Sequence, residues 1–330
     1  MAPPLTVAAI VVNWNSGDLL RQAVESLARQ RRRPDHLIVV DNASRDDSLL
    51  RAAQLLGNAQ VIRLDRNVGF AAANNLAAQE ARRFDLLALL NPDAVAEPEW
   101  LEALVAASER EPDVASFASQ MLWTAAPEML DGAGDSYHVS GRAWRNGYRT
   151  PRARWPAADE EVFAPCAAAA LYRREAFADA GGFDERYFCY FEDVDLGFRL
   201  RLRGHRSRYV HAAIVRHAGS ALVGERSDFA VYHGQRNLVW TYVKDMPTPL
   251  LWAYLPQHVA VNIAAWLFYA KRGQSGVVLK AKVDALRGLR SVLRERKAVQ
   301  AGRRATVSNL RAAMNRSIAK PYVNTYDRSH

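Results

Sequence analysis

At 330 residues, 49% of them hydrophobic and 24% charged, the chain holds enough apolar material for a sizeable core, which excludes a disordered or fibrous class. Its two cysteines, Cys166 and Cys189, lack metal-ligand spacing and are too few for a disulfide framework, so a stapled secreted domain is excluded and a reducing compartment expected. The formal net charge of +9 is uneven: residues 271–330 carry 15 Lys+Arg against 3 Asp+Glu, whereas residues 1–270 carry 29 against 32, so a nearly neutral body precedes a basic segment suited to anionic lipid headgroups or to nucleic acid, between which composition does not choose.

The opening Met1-Ala2-Pro3-Pro4 has no basic n-region, and no secretory leader is expected. From residue 5 to about 95 the pattern alternates. Residues 7–12, 36–40, 60–64 and 84–90 read as strands, and 18–30, 47–56 and 71–82 have helical spacing between them. Such alternation implies an α/β fold, a doubly wound and mostly parallel sheet with right-handed crossovers.

The strands end in polar residues: Asn13-Trp14-Asn15-Ser16-Gly17, Asp41-Asn42-Ala43-Ser44 and Asp65-Arg66-Asn67-Val68-Gly69-Phe70. The fully apolar run 86–90 stops at Asn91-Pro92-Asp93, because Pro92 cannot continue a ladder. In open α/β sheets ligands bind beyond the carboxyl ends of the strands, although each of these ends also suits a helix cap. Asp41 has the chemistry to accept a hydrogen bond from a base N–H, and Gly69 would let backbone approach a phosphate. Neither a Gly-x-Gly-x-x-Gly after the first strand nor a Gly-x-x-x-x-Gly-Lys occurs, which weakens dinucleotide and P-loop readings.

Residues 97–111 predict a helix and 114–117 a strand, whereas 124–160 show no sustained period. The aromatics and arginines of that irregular stretch suit the grip of a sugar or diphosphate, and equally a solvated loop. Next, the aromatic run Tyr187-Phe188-Cys189-Tyr190-Phe191 delivers Glu192, Asp193 and Asp195 to a helix start. There the acids compensate the dipole, or the helix N-terminus keeps a carboxylate ionised as a general base requires. A strand over 208–215 ends in Arg216-His217-Ala218-Gly219-Ser220, and His211 falls in mid-strand. Residues 250–270 are hydrophobic but interrupted by Pro256, Gln257, His258 and Asn262, so an interfacial or helix-packed segment is expected rather than a membrane span. Leu279, Val283, Leu286, Leu289 and Leu293 then recur at helical spacing among Lys280, Lys282, Arg287, Arg290 and Arg294, a basic amphipathic helix that packs on the body or meets a membrane surface, its charge favouring the latter, and from about 305 a loosely ordered tail is expected.

The motifs Val11-Val12-Asn13-Trp14-Asn15, Val39-Val40-Asp41-Asn42-Ala43-Ser44-Arg45-Asp46, Asn67-Val68-Gly69-Phe70-Ala71-Ala72-Ala73-Asn74-Asn75 and Leu90-Asn91-Pro92-Asp93-Ala94 occur in this order. Together they resemble the nucleotide-sugar half of family-two inverting glycosyltransferases of the GT-A fold, and within it the rhamnosyltransferase-like branch. The similarity runs from about 7 to 245. It implies a GT-A domain over 1–245, its nucleotide-sugar half at about 5–120 and its acceptor half at about 121–245, followed by a helical, basic, membrane-proximal extension over 246–330. By the same resemblance Asp41 contacts the base, and Asn13, Asn67, Gly69 and Asn74 line the nucleotide and diphosphate. Asp93 is the second carboxylate of an Asp-x-Asp motif. Asn91 stands at the motif's first position, an amide able to bind a ribose or a metal-bound water.

The resemblance further implies a divalent ion, Mg²⁺ or Mn²⁺, shared by Asp93 and His217, with Asp193 as base and Glu192 orienting the acceptor. The activity implied is transfer of a sugar, with L-rhamnose from dTDP-rhamnose the leading donor, to a lipid-linked saccharide in cell-envelope polysaccharide synthesis. A UDP-hexose or UDP-galactofuranose donor is the alternative. A sugar-phosphate nucleotidyltransferase would open with a Gly-rich phosphate loop in place of Asn13-Trp14-Asn15-Ser16-Gly17, and a non-catalytic membrane-surface module leaves Asp93, Asp193 and His217 without a purpose. No Gln-x-x-Arg-Trp occurs, so single transfers are expected rather than polymerisation. The expected setting is the inner face of the cell membrane, with an anionic membrane surface and no nucleic acid as partner; the oligomeric state stays open.

Overall fold

A computed structural model describes residues 3–219 and 226–317. Strands β1 (Val7–Asn13), β2 (His36–Asp41), β3 (Gln60–Arg63) and β4 (Leu86–Leu90) alternate with helices α1 (Asp18–Ala28), α2 (Ser48–Leu56) and α3 (Phe70–Glu80). β1 pairs in parallel with β2 and β4, and β2 with β3, so all four carboxyl ends share one edge. Their uninterrupted apolar runs follow from helices covering both faces. With a side-chain period of two, Val7, Ala9 and Val11 join Leu86, Ala88 and Leu90 in the core under α1, while Ala8, Ile10, Leu87 and Leu89 join the opposite core under α3.

The second half widens the sheet. After β5 (Ala94–Ala96) and α4 (Trp100–Arg110) come β6 (Val114–Trp123), β7 (Ala126–Ala133), β8 (Asp135–Tyr137), β9 (Ala143–Arg145), β10 (Glu160–Val162) and β11 (Ala169–Arg173). Helices α5 (Arg174–Asp179) and α6 (Glu192–Leu202) then lead to β12 (Arg206–His217). The order is β10-β12-β6-β11-β4-β1-β2-β3, with β5 against β12 and β7 against β6. β11 runs antiparallel between β4 and β6, and β12 is parallel to β6. The α/β sheet with its parallel nucleotide-side half is present, but over its whole width the sheet is mixed rather than mostly parallel, because β11, β10, β5 and β7 all pair antiparallel.

Residues 124–160 differ from the irregular stretch their sequence suggests. They form β7, the β8–β9 hairpin and a 3-10 turn at Arg152–Arg154. Strands of three residues complete too little of a period to register in a sequence pattern. The basic end also differs. α7 (Asp228–Asp245), α8 (Thr248–Ala270), α9 (Ser275–Ala301) and α10 (Val307–Ala313) are regular helices. Instead of a loose tail from 305, Leu310 and Met314 are buried with Tyr137, Phe198 and Tyr242, and Asn315 donates its N–H to the Tyr137 carbonyl at 2.8 Å. The last thirteen residues, and Ser220 of the strand-end motif, lie outside the described residues.

Candidate active site

Where β4 stops, Asn91 donates its N–H to Ala168 O at 2.8 Å and a turn closes from Ala94 N–H to Asn91 O at 3.1 Å. β5 then pairs antiparallel with the end of β12, His217 opposite Ala94, and Ala218 donates to Asp93 O at 3.0 Å. This pairing brings together two residues 124 positions apart: Asp93 Oδ1 lies 3.3 Å from His217 Nε2, and both are buried. His217 Nδ1 lies 2.7 Å from Asp131 Oδ2, and Asp131 is held in turn by Arg145 across the adjoining hairpin. Burial opposes charge on the imidazole, but the hydrogen bonds and charges of Asp131 and Asp93 outweigh it and raise His217 to about 9.

Raised in this way, the imidazole carries a proton on each nitrogen, Nδ1–H directed to Asp131 and Nε2–H to Asp93; a divalent ion bound beside Asp93 would take the place of the Nε2 proton. A carboxylate backing a histidine that faces a second ligand is a metal-site arrangement, and these donors fit Mg²⁺ or, through the nitrogen, Mn²⁺. Asp131 and Arg145 were not foreseen. Their signal lay in the stretch without a period, where Asp131 and Asp135 flank Gly132-Ala133-Gly134.

Across the cleft, α6 carries the acidic pair. Gly197 lets the helix approach the backbone of residues 163–164 so closely that a Cβ there would stand 2.3 Å from Ala164 Cβ. That contact sets Asp193 against the following segment: Asp193 Oδ2 accepts from Ala167 N–H at 3.1 Å and Oδ1 from Val194 N–H at 2.8 Å. Burial raises the Asp193 carboxyl, with those N–H groups and Arg145 opposing. Desolvation therefore wins over the helix N-terminus expected to hold it low. Glu192 is pushed well above the carboxylate range by burial and by Asp193, and its Oε2 has no partner among the described residues. Asp135, Cys166 and Asp193 bring a carboxylate oxygen, the thiol sulfur and a carboxylate oxygen within 4.8 Å of one another. Burial raises both Asp135 and the Cys166 thiol well above their ordinary values.

The loop entering α6 is strained. Phe188, Tyr190 and Phe191 all have positive φ, at 66°, 67° and 70°. Buried Asn237 of α7 holds it, its Nδ2 lying 3.1, 3.0 and 2.7 Å from the carbonyls of Tyr187, Cys189 and Tyr190. Arg236 donates to the Arg186 and Tyr187 carbonyls, and its Nε–H to Asn237 Oδ1 at 2.9 Å fixes which way the amide faces.

On the nucleotide side, Asn42, Asn67, Gly69 and Asn91 line a cleft of about 760 Å³ that also holds Asp93, His217, Glu192 and Asp193. Gly69, at φ 89°, lies so near Phe188 that a Cβ would clash at 2.6 Å, so it joins the two halves of the cleft. Asp41 lines an adjacent open cavity of about 710 Å³ with Ser44, Arg45 and Asp65. Two expected lining residues face elsewhere. Asn13 is buried, donating to Asp41 Oδ1 at 2.8 Å and Ser48 Oγ at 2.9 Å, so it sets Asp41 from beneath. Asn74 donates to Phe70 O of its own helix at 2.9 Å. His211 contacts Gln120 and Tyr209 rather than the cleft.

A family model described as Glycosyltransferase like family 2 matches residues 3–242. An N-acetylglucosaminyl-diphospho-decaprenol L-rhamnosyltransferase of Mycobacterium tuberculosis is 29% identical over 246 residues, 68% of this chain and 80% of that protein. The O-antigen chain rhamnosyltransferase RfbN of Salmonella typhimurium is 25% identical over 222 residues, 65% of this chain and 67% of that one. Among solved structures, GalNAc-T7 with UDP, GalNAc and Mn²⁺ superposes with TM-score 0.61 at 17% identity, over 74% of this chain and about half (48%) of its own. The mannosyltransferase PcManGT from Pyrobaculum calidifontis, with GDP-Man and Mn²⁺, superposes with TM-score 0.54 at 17% identity, covering 94% of this chain and 87% of that one. At these identities the two structures establish the shared fold.

Proposed function

The chain belongs to glycosyltransferase family 2, and from that premise we propose that it transfers one sugar at a time, with inversion, from a nucleotide-diphospho-sugar to a hydroxyl of a lipid-linked saccharide. The donor we assign is dTDP-L-rhamnose, in keeping with the named activity of the mycobacterial and Salmonella relatives. One observation carries the reading: the Asp93–His217 pair and the Asp193 carboxylate open onto the same cleft of about 760 Å³.

In this reading Asp41, set by Asn13, receives the base, and Asn42, Asn67 and Asn91 receive the ribose and diphosphate. Asp193 takes the proton of the acceptor hydroxyl as its oxygen attacks the anomeric carbon; a carboxyl raised by burial is a stronger base than an exposed one. Glu192, with Oε2 lacking a partner, orients the acceptor through its hydroxyls. Asp93 and His217 would hold a divalent ion, Mn²⁺ favoured by the imidazole ligand, and that ion offsets charge on the departing diphosphate when bound. In the same reading a lipid-linked acceptor and the basic residues after 271 favour work at the inner face of the cell membrane, with those residues toward anionic headgroups.

The test is a panel of nucleotide sugars with polyprenyl-diphospho-N-acetylglucosamine as acceptor. Rhamnosyl transfer that EDTA abolishes and Mn²⁺ restores is the expected result. Transfer from UDP-galactofuranose or a UDP-hexose alone would replace the donor, and consumption of no nucleotide sugar at all would overturn the reading.

A further inference from the structure

Helix α8 has two faces. Leu250, His258 and Val261 are buried against the body: His258 stacks on Tyr242 at 3.8 Å between ring centroids, with Nδ1 donating to Ser140 O at 2.8 Å, and Asn262 donates to His258 O at 2.7 Å. The other face exposes Gln257 and a run of apolar side chains. Trp252, Pro256, Val259, Ile263 and Trp266 recur at steps of four and three, the spacing of one helix stripe, and every one is exposed. Trp252 is 66% exposed, Ile263 54% and Phe268 48%. No charged residue occurs between 248 and 270. A contiguous apolar face of this kind marks a surface that meets something apolar. Among the described residues no helix is long and apolar enough to cross a membrane, so α8 does not supply a span.

The neighbouring α9 indicates what covers it. Its exposed Leu279, Val283, Leu286 and Leu293 are interleaved with Lys280, Arg287, Arg290 and Arg294. A second copy meeting this surface about a two-fold axis would set like charges against like, which disfavours self-pairing. An anionic bilayer answers both features, since acyl chains take the apolar ridge and headgroups take the cations. Tryptophan at both ends of the ridge suits the boundary between the two.

We propose that α8 is a membrane-inserting face: it lies in the bilayer interface with Trp252, Val259, Ile263 and Trp266 among the acyl chains, and the exposed cations of α9 engage anionic headgroups beside it. The idea rests on the lipid-linked acceptor of the preceding section for its purpose but not for its evidence. Apolar insertion anchors the protein and the cations set lipid preference, so binding falls with salt without vanishing.

The experiment is flotation of the full chain with phosphatidylcholine vesicles, with and without phosphatidylglycerol, at low and high salt. Trp252→Glu and Ile263→Glu, singly and together, are compared with wild type. Both sites are exposed, so the fold survives; equal melting temperatures and equal dTDP binding verify this. The expected result is anionic-vesicle binding that persists in part at high salt and drops about tenfold or more in the double variant. Unchanged binding in the double variant overturns the proposal, as does absence of wild-type binding. A wild-type dimer that the substitutions make monomeric, without vesicle binding, overturns it in favour of a contact between copies. Vesicle binding lost by the double variant in a protein that consumes no nucleotide sugar would uphold this inference while the proposed activity failed.

Discussion

Asp193 sits where two effects of known sign compete, a helix N-terminus that favours its charge and a desolvated pocket that penalises it, and the pocket prevails. For the proposed general base this is an advantage, because a base works best with a pKa raised toward the operating pH. We expect Asp193→Asn to keep donor affinity within a few-fold and to lower transfer by about two to four orders of magnitude, as loss of a general base does. Near wild-type turnover in steady-state assays would reassign the base to Glu192. On the metal side, Asp131 acts only through His217 Nδ1. Asp131→Asn should therefore weaken Mn²⁺ binding about 10- to 100-fold in a direct titration, less than His217→Ala, which removes a ligand. Equal affinity in Asp131→Asn and wild type would leave Asp131 as a partner of Arg145 alone. Asp93 and His217 stand at strand ends and Asp193 at a helix start, positions a pattern can mark, but the roles proposed for them came from the family resemblance. Asp131 was not marked in this way, because it meets His217 only through the pairing of β7 with β6 and of β6 with β12, a long-range relation that local spacing does not show.

At the scale of elements, the segment before α6 looked like a run of aromatics, and its backbone strain left no trace in composition. What holds it is an amide 46 residues past Phe191, a tertiary relation that no local pattern encodes. Asn237→Asp would turn a carboxylate oxygen toward the carbonyls of Tyr187, Cys189 and Tyr190. A displacement of Glu192 and Asp193 of the order of an ångström follows, and kcat should fall about 100-fold while the donor KM changes little. Wild-type kcat in that variant would make the clamp dispensable. The basic helix held a further surprise. Its spacing placed Lys282 with the outward cations, yet Lys282 turns against α7, donates to Gln235 O at 2.6 Å, and is pushed down to about 7 by burial. Its unfolded value is near 10.5, so between pH 7 and 10.5 the unfolded chain binds more protons and stability rises with pH across that window. His217, raised to about 9, acts in the opposite direction over the same window, so the Lys282 contribution is read as a difference: chemical denaturation at pH 7 and pH 9 should give wild type a more positive change in stability than Lys282→Met, and an equal change in both would place the titration elsewhere.

For the whole molecule, the charge asymmetry suggested a basic extension separable from a catalytic body, and the charge is where the sequence indicated. Separability is another matter. Trp240 of α7 donates its indole N–H to Ala285 O at 3.0 Å and packs over Gly288, and Arg296 caps the Val243 and Met246 carbonyls at 2.7 and 2.6 Å. Val278, Ala281, Ala285 and Val292 are all buried. Through Asn237, the same α7 holds the loop that carries Glu192 and Asp193, so the extension backs the proposed site from behind. Composition could not reveal this, because small aliphatics inside a basic helix look alike whether they face a protein or a membrane. Ending the chain at residue 270 would uncover Trp240 and remove those aliphatics, each worth on the order of 1 kcal/mol or more. Calorimetry should show a melting temperature at least about 10 °C lower for the shortened chain, with transfer lost even to a water-soluble acceptor. Trp252→Glu should leave both unchanged, since that side chain faces outward. A shortened chain that melts with wild type and transfers to a soluble acceptor would make α9 a membrane appendage alone, and the coupling of α9 to the catalytic loop through α7 would be disproved.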